Sequence, residues 1–223
     1  MRGGWPLPLR LYGLATGVLL RAAYGRASRR LAEGGVAPER RRERLGYATA
    51  ERPSGRLVWF HAASVGESLS VLPLLERVVG HAAVLVTTGT AAWAEVLAKR
   101  LPAAAWHQFA PLDARGPVGR FLSHWRPDLA VFVESEIWPV TLREAHARGV
   151  PLVLMNARMS ERSLRSWGKA PVTARALLGL FARIVTQTEG TREALVSLGV
   201  EPGRVTVGGN MKAAAAPPPD DPE

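Results

Sequence analysis

An acidic residue, Glu67, stands where an apolar segment gives way to a helical pattern. Residues 57–61, Leu-Val-Trp-Phe-His, can form a buried strand, and a turn of small residues separates them from a helical pattern that opens at about Glu67. In open α/β sheets, ligands bind at the carboxyl ends of the strands, where helix N-termini converge. The spacing therefore predicts that Glu67 lies where a carboxylate could do chemistry.

Two roles fit Glu67. Ser64 and Glu67 have the Ser-x-x-Glu spacing of a capping box, in which the two side chains satisfy free amides at a helix start. Alternatively, Glu67 is a general base, because a carboxylate beside the positive end of a helix dipole stays ionised at neutral pH. Spacing alone favours the cap and leaves both roles open.

A second acidic signal follows another apolar segment, residues 129–133. Glu134 and Glu136 come directly after it and precede Pro139, which is typical of a helix start. Two carboxylates at the end of a buried strand are unfavourable unless they are solvated, paired or functional, and their proximity should raise one pKa. A structural alternative is that one of them caps the helix that begins near Pro139.

An amide and a cation follow the next apolar segment. Asn156 and Arg158 come after residues 151–155, so the same edge of the sheet should receive them. A structural role for Arg158 is to neutralise Glu134 or Glu136.

Short apolar segments alternate with amphipathic ones from Leu57 onward, which is typical of βα units and a parallel sheet. Strands are predicted at residues 57–61, 83–87, 106–110, 129–134, 151–156, 183–187 and 204–207. Helices are predicted at residues 68–79, 91–100, 118–125, 140–148, 172–180 and 191–198. The pattern therefore predicts an α/β, Rossmann-like domain over residues 57–209, followed at 210–223 by a linker or tail of Ala, Pro and acidic residues.

Several kinds of site are disfavoured by the residues present. The chain has no cysteine, and its five histidines show no metal-ligand spacing, so we predict no metal site. No GxGxxG or Walker A pattern occurs, which makes a dinucleotide or P-loop site unfavoured, and we predict no cofactor.

Basic charge is concentrated at the N-terminus. Residues 1–56 hold 12 arginines and four glutamates, which gives +8 of the chain's net +10. Arginine pairs with phosphate in a bidentate manner, so an anionic membrane surface, a phosphorylated lipid or nucleic acid could bind here, and a solvated charged face is the structural alternative. Few aromatic residues are interleaved with the arginines, so we predict no nucleic-acid partner.

The first 25 residues predict a helix at the membrane interface. The longest uncharged stretch, between Arg10 and Arg21, is shorter than the ~20 residues that a spanning helix needs. We expect the arginines to contact lipid phosphates while apolar and aromatic side chains enter the headgroup region. The side chains expected to enter are Trp5, Leu9, Tyr12 and Leu19. A signal peptide is the rival, although no clean cleavage site follows. Residues 1–56 are therefore predicted to be a membrane-associating helix and a basic collar.

Three motifs in this order resemble the 3-deoxy-D-manno-octulosonic acid (Kdo) transferases of lipopolysaccharide biosynthesis. They are His-Ala-Ala-Ser-Val-Gly-Glu at 61–67, Glu-Ser-Glu-Ile-Trp-Pro at 134–139 and Asn-Ala-Arg-Met-Ser-Glu-Arg-Ser at 156–163. Shorter stretches support them at 87–90, 111–113 and 209–212. The resemblance implies the N-terminal, acceptor-side domain of a GT-B glycosyltransferase, at the cytoplasmic face of the inner membrane.

The resemblance also implies a reaction and roles for named residues. Kdo would pass from CMP-Kdo to a hydroxyl of a lipid A precursor with inversion, Glu67 acting as the general base and Glu134 and Lys212 stabilising the transition state. The residues expected to bind substrate are Ser64, Gly66, Thr88, Glu136, Asn156 and Arg158.

The resemblance covers only the N-terminal half of the family's length. In that family the CMP group is held mainly by a C-terminal domain, so we expect this chain to be inactive unless a separate donor-binding domain is supplied. A noncatalytic module that binds anionic lipid is the alternative function.

Overall fold

Seven parallel strands form one sheet in the computed structural model, which describes residues 5–62, 65–102 and 104–211, and for residues 65–70 the backbone alone. The strands are β1 (Leu57–His61), β2 (Ala83–Thr88), β3 (Ala105–Phe109), β4 (Leu129–Val133), β5 (Leu152–Ala157), β6 (Arg183–Thr186) and β7 (Val205–Val207). Their order is β3-β2-β1-β4-β5-β6-β7, and every neighbouring pair is parallel. The predicted Rossmann-like α/β fold is confirmed.

Helices cover both faces of the sheet. They are α1 (Leu7–Val18), α2 (Leu20–Glu33), α3 (Pro38–Arg41), α4 (Val65–Val79), α5 (Ala91–Arg100), α6 (Arg115–Trp125), α7 (Pro139–Ala147), α8 (Glu161–Gly168), α9 (Pro171–Leu178) and α10 (Glu189–Ser197). Short 3₁₀ helices occupy Arg42–Leu45 and Pro202–Arg204.

Successive side chains of a strand point to opposite faces of the sheet, so the apolar residues form two separate cores. Trp59 of β1 and Phe132 of β4 point to one face, where they pack with Phe121 of α6, and the Trp59 ring centroid lies 4.7 Å from that of Phe121. Phe60 and Val131, the adjacent residues, belong to the core on the opposite face under α4 and α5. Because burying one such side chain stabilises a fold by about 1.5–3 kcal/mol, a one-residue slip of either strand would be strongly unfavourable.

The first helical segment differs from the expected single helix. A break at Leu19 separates α1 from α2, and none of the helices in the described part of the chain is long and apolar enough to cross a membrane.

The side chains expected to enter the membrane from α1 are not all available. Leu9 is buried and Tyr12 packs against the main core, so this part of the prediction is wrong. The exposed apolar side chains of α1 are instead Leu7, Leu11, Leu14 and Val18, one helical face that continues to Leu19.

The basic collar is anchored to the sheet by one buried carboxylate. Glu43 is fully buried, and its Oε2 accepts a 2.7 Å hydrogen bond from the amide of Phe109 in β3. Arg40 donates to Oε1 from 3.1 Å, and the Thr49 hydroxyl donates to the same oxygen. Because a buried charge is tolerated only when paired and hydrogen-bonded, Glu43 fixes residues 38–45 against the edge of the sheet. The predicted division between 1–56 and 57–209 stays a prediction.

Candidate active site

The candidate site lies between β1 and β4, where the chain connections run in opposite directions along the sheet, from β1 toward β2 and from β4 toward β5. From β1 the chain continues through α4 to β2 on one side, and β4 lies against β1 on the other. Such a topological switch point opens a crevice beyond the carboxyl ends of the two strands. His61 closes β1 and Glu134 follows β4, so this crevice is the position that the first two motifs share.

His61 links the two sides of the crevice. Its Nε2 lies 3.2 Å from Oε2 of Glu136, beyond β4, and its Nδ1 lies 2.9 Å from Oγ1 of Thr87 in β2. The Trp138 indole donates to the same Glu136 oxygen from 2.6 Å, and the Trp59 indole donates to Thr87 Oγ1 from 2.7 Å. The imidazole is thereby fixed between three strand ends.

This network tolerates two protonation states of His61. The Glu136 carboxylate only accepts, so Nε2 must carry a proton. When the ring is neutral, the Thr87 hydroxyl can donate to Nδ1. When the ring is charged, Nδ1 can donate to Thr87, whose own proton can turn to the Phe60 carbonyl at 3.3 Å.

Glu136 is held as a carboxylate. Burial raises its pKa, but the hydrogen bond and charge of His61 and the hydrogen bond from Trp138 outweigh burial, so the pKa lies below its ordinary value. The two-carboxylate argument predicted a raised pKa on Glu134 or Glu136, and for Glu136 that prediction is wrong because His61 is its partner. Arg158 is exposed, and the side chain that faces Glu136 is His61 rather than Arg158.

Glu134 and Asn156 both have left-handed backbone conformations, with φ of 58° and 55°. Asparagine tolerates this conformation, whereas for glutamate it costs roughly 1–2 kcal/mol. Asn156 Nδ2 donates to Glu134 Oε1 across 3.4 Å, which joins the ends of β4 and β5. Backbone strain of this kind persists only where the surrounding structure enforces it, and strained residues are concentrated at functional sites.

Asn156 also ties in the last described part of the chain. Its side chain is fully buried, and Oδ1 accepts a 3.2 Å hydrogen bond from the amide of Met211. The segment that leads to Lys212 therefore reaches the same edge of the sheet. Arg158 follows β5 at this edge, and its carbonyl accepts a hydrogen bond from the Ser135 hydroxyl.

Thr88 is engaged within the protein. Its side chain is fully buried, and its Oγ1 lies 2.9 Å from Nε2 of His107. Arg40 donates to His107 Nδ1 from 2.7 Å, which leaves the proton of a neutral ring on Nε2, where it is donated to Thr88. Burial and the charge of Arg40 lower the pKa of His107 to about 3. A role for Thr88 in binding substrate stays a prediction.

Sequence reasoning did not identify the residue that caps α7. Asp113, rather than Glu134 or Glu136, accepts from the amides of Thr141 at 2.7 Å and Val140 at 3.2 Å. Tyr12 of α1 lies beside it, and burial, followed by the charge and hydrogen bond of Asp113, raises the tyrosine pKa. The acidic residue in the turn at 111–113 was the available signal, but its partner lies 28 residues away.

A cavity of about 190 Å³ opens at this edge, lined by His61, Glu136, Trp138 and Asp113 together with Arg44 and Gly89. A larger groove of about 620 Å³ lies at the opposite edge, where β5 and β6 begin. We assign the site to the smaller cavity, because ligands of such sheets bind at the carboxyl ends of the strands.

Four predicted residues cannot be compared in full. Ser64 and Lys212 lie outside the described residues, and Gly66 and Glu67 are described by their backbone alone. The backbone does place Glu67 in the first turn of α4, at the carboxyl end of β1. Among the described residues, no cluster of three His, Asp or Glu side chains could hold a metal ion.

A family profile and individual relatives with the same enzyme name match this chain in sequence. The sequence profile of the 3-deoxy-D-manno-octulosonic-acid transferase (kdotransferase) family matches residues 39–215. A 3-deoxy-D-manno-octulosonic acid transferase of Rickettsia bellii is 35% identical over 92% of this chain and 49% of its own length. A probable mitochondrial one of Arabidopsis thaliana is 41% identical over 56% of this chain and 29% of its own length. The chain thus spans about half the length, or less, of these curated relatives.

Solved structures share the fold at low sequence identity. The UDP-GlcNAc 2-epimerase of Neisseria meningitidis, bound to UDP-GlcNAc, has a TM-score of 0.52 at 16% identity and covers 72% of this chain and 48% of its own. The S. aureus MnaA–UDP complex has a TM-score of 0.56 at 14% identity, over 76% of this chain and 50% of its own. These similarities support the Rossmann-like domain of GT-B type. The sequence match over residues 39–215 goes further: the chain belongs to the 3-deoxy-D-manno-octulosonic-acid transferase family.

Proposed function

We propose that this chain is the acceptor-side domain of a Kdo glycosyltransferase of lipopolysaccharide biosynthesis. In this proposal a hydroxyl of a lipid A precursor attacks the anomeric carbon of CMP-Kdo with inversion, and CMP leaves. The observation that carries the proposal is the family match over residues 39–215, which includes the carboxyl ends of all seven strands.

Glu67 is the proposed general base. Its position in the first turn of α4 supports this role, because the positive end of the helix dipole keeps a carboxylate ionised and ready to accept the acceptor's proton. The same position also fits a capping box with Ser64, and the two roles are compatible.

The wall formed by the ends of β4 and β5 has four of the proposed transition-state and substrate groups, Glu134, Glu136, Asn156 and Arg158. Glu134 and Lys212 are assigned to the transition state, and Lys212 can balance negative charge that develops on the donor. Glu136, Asn156 and Arg158 are assigned to substrate binding with Ser64, Gly66 and Thr88. The strained backbone of Glu134 and its hydrogen bond to Asn156 support a functional role for this wall.

We further propose that the domain works at the cytoplasmic face of the inner membrane. The exposed face of α1 offers Leu7, Leu11, Leu14 and Val18 to a bilayer, and Arg10 is exposed on the same helix. A groove of about 440 Å³ beside α1 is lined by Arg10, Arg115 and Arg143, which suits the phosphates of an anionic lipid.

Donor binding is assigned to the part of the relatives that lies beyond the matched region. The test measures Kdo transfer from CMP-Kdo to lipid A precursor in vesicles, with this chain alone and with the C-terminal half of the Rickettsia bellii relative added. We expect turnover only in the mixture, and rates typical of an enzyme from the chain alone would overturn this division of labour.

The Glu67→Gln variant separates the two roles of this residue in the same assay. A general base should lose turnover by roughly 10²–10⁴-fold while vesicle binding is retained. A residue that only caps α4 should chiefly lower the melting temperature. Unchanged turnover in the variant would exclude Glu67 as the general base. Absence of turnover from the wild-type mixture, with vesicle binding retained, would favour the alternative function, a noncatalytic module that binds anionic lipid.

A further inference from the structure

Arg44 is a half-buried cation at the wall of the candidate site. It belongs to the 3₁₀ helix at Arg42–Leu45 and lines the 190 Å³ cavity together with His61, Glu136 and Trp138. Burial lowers the pKa of its guanidinium to about 10, so the group is charged at neutral pH although it is poorly solvated.

The guanidinium has little compensation in the described part of the chain. Its Nη1 donates to the carbonyl of Ala110, its buried Nε has no hydrogen-bond partner, and no carboxylate forms an ion pair with it. Glu43, the neighbouring carboxylate, is already occupied by Arg40, Thr49 and the amide of Phe109. A poorly solvated charge without an ion-pair partner is unfavourable, so a second partner is to be expected.

The two carboxylates of the same cavity do not supply that partner. Asp113 accepts from Val140 and Thr141, and the Oε2 of Glu136 accepts from Trp138 and faces His61. Each is thus engaged with its own donors, and neither forms an ion pair with Arg44.

The remaining walls suit a sugar ring. The Trp138 side chain is 40% exposed and offers an aromatic surface, and at Gly89 an added Cβ would meet nothing within 4 Å. A cavity of about 190 Å³ has the room of roughly six water molecules, since one water occupies about 30 Å³ in the liquid. That is enough for one anionic group and part of the ring to which it is attached.

We propose that Arg44 binds an oxyanion attached to a sugar, either a phosphate or a carboxylate, in the cavity beside Trp138. Arginine matches both groups because its planar N–H fork donates to two oxygens at once. The assignment of the sugar to the acceptor or the donor rests on the proposed function, but the existence of the subsite does not.

The test is a titration of the wild-type chain followed by NMR, because Trp59 and Trp138 line the cavity and the signals of their indole N–H groups report on it. The probes are N-acetylglucosamine 1-phosphate, free Kdo and neutral N-acetylglucosamine. We expect shifts of these two indole signals with one or both anionic sugars at concentrations where the neutral sugar gives none. The stronger anionic probe identifies phosphate or carboxylate.

Arg44→Met then removes the charge while keeping a similar length. We expect binding of the anionic sugar to weaken roughly 10- to 100-fold. The melting temperature should be unchanged or higher, because an uncompensated buried charge has been replaced by an apolar side chain. Arg42→Met is the matched control, since Arg42 is exposed in the same 3₁₀ helix. Arg44→Lys, which keeps the charge without the fork, should weaken binding by a smaller factor.

Three outcomes would overturn the proposal: equal binding of neutral and anionic sugars, equal weakening by the Arg42 control, or unchanged binding in both Arg44 variants. Each would leave the proposed function standing, because that function is tested by Kdo transfer and by Glu67→Gln. Conversely, loss of the transferase proposal would not remove a measured anion subsite.

Discussion

At the scale of single residues, the candidate site depends on one imidazole that joins three strand ends. His61 faces Thr87 on one side and Glu136 on the other, so the end of β1 is tied to β2 and to the segment that follows β4. The proposed general base, Glu67 at the start of α4, would need this kind of support, because small displacements of a reacting group reduce the rate steeply.

Glu136 should make the stability of the fold depend on pH in the acidic range. Its pKa is lowered by the fold, so its contribution is present above about pH 4.5 and is lost as the pH falls through the lower folded value. We expect Glu136→Gln to reduce the free energy of unfolding at pH 7 by about 1–3 kcal/mol, and the difference from wild type to shrink toward pH 3. Urea unfolding at several pH values measures it. Glu161→Gln, at an exposed ion pair with Arg165, is the control and should change little.

His107 should also make the stability of the fold depend on pH, and its effect should begin at a higher pH than that of Glu136. The unfolded histidine takes up a proton near pH 6.5, whereas the folded one does so only near pH 3, so stability falls as the pH is lowered between these values. The slope from one such group is at most about 1.4 kcal/mol per pH unit. His107→Gln should flatten the unfolding free energy between pH 6.5 and 4.5, and the same change at exposed His81 should not. A slope equal to that of wild type in His107→Gln would contradict the buried, neutral ring.

At the scale of elements, α1 divides its two faces between the protein and its surroundings. Leu9 and Tyr12 pack inward, and a cation–π contact of 4.9 Å holds Arg143 over the Trp5 ring at the helix start. The outward face is apolar along its length, and this is the arrangement of a helix that lies in a membrane interface.

Polar substitutions on the outward face should weaken membrane binding without unfolding the chain. Leu11 and Leu14 are 55% and 68% exposed, so changing both to Gln should leave the melting temperature nearly unchanged. Partition into anionic vesicles should fall by roughly tenfold for each side chain that inserts fully. Val172→Gln, at a residue 71% exposed on α9, is the matched control. Unaltered partition of the double variant in a sedimentation assay would remove α1 as the membrane contact.

Replacing Gly46 by alanine should destabilise the fold more than the same replacement at Gly55. Gly46 has φ of 84°, and an added Cβ would lie 1.9 Å from the Pro117 carbonyl oxygen, whereas at Gly55, with φ of 77°, a Cβ would meet nothing within 4 Å. Gly55→Ala should therefore cost only the backbone strain of about 1–2 kcal/mol. Gly46→Ala should cost several kcal/mol, because the 3₁₀ helix must move away from α6. Thermal unfolding of the pair compares them, and equal losses would contradict the close approach.

Periodicity predicted the strands well and the helices less completely. All seven strands lie within a residue or two of their predicted bounds, because parallel strands buried on both faces are distinct apolar segments. The helix α8 was missed because Glu161–Gly168 is short and polar with no buried residue. The inward face of α1 depends on contacts with α7, which local sequence does not contain.

At the scale of the whole molecule, strand order decides which residues meet. The sequence predicted that Glu134, Glu136 and Asn156 follow strands, and the structure brings them to one edge. The pairing of His61 with Glu136 spans 75 residues and exists because β4 lies directly beside β1. Spacing could not supply this, since several strand orders are compatible with the same alternation of elements.

The central claim is that the acceptor binds at the carboxyl edge of the sheet, at the switch point between β1 and β4. It is tested most directly by photo-crosslinking the wild-type chain to a lipid A precursor that has a photoreactive group on its sugar, followed by peptide mapping. We predict crosslinks to the cavity residues, with Gly89, Glu136 and Trp138 foremost. Crosslinks confined to the groove at the opposite edge, around His146 and Arg204, would contradict the claim.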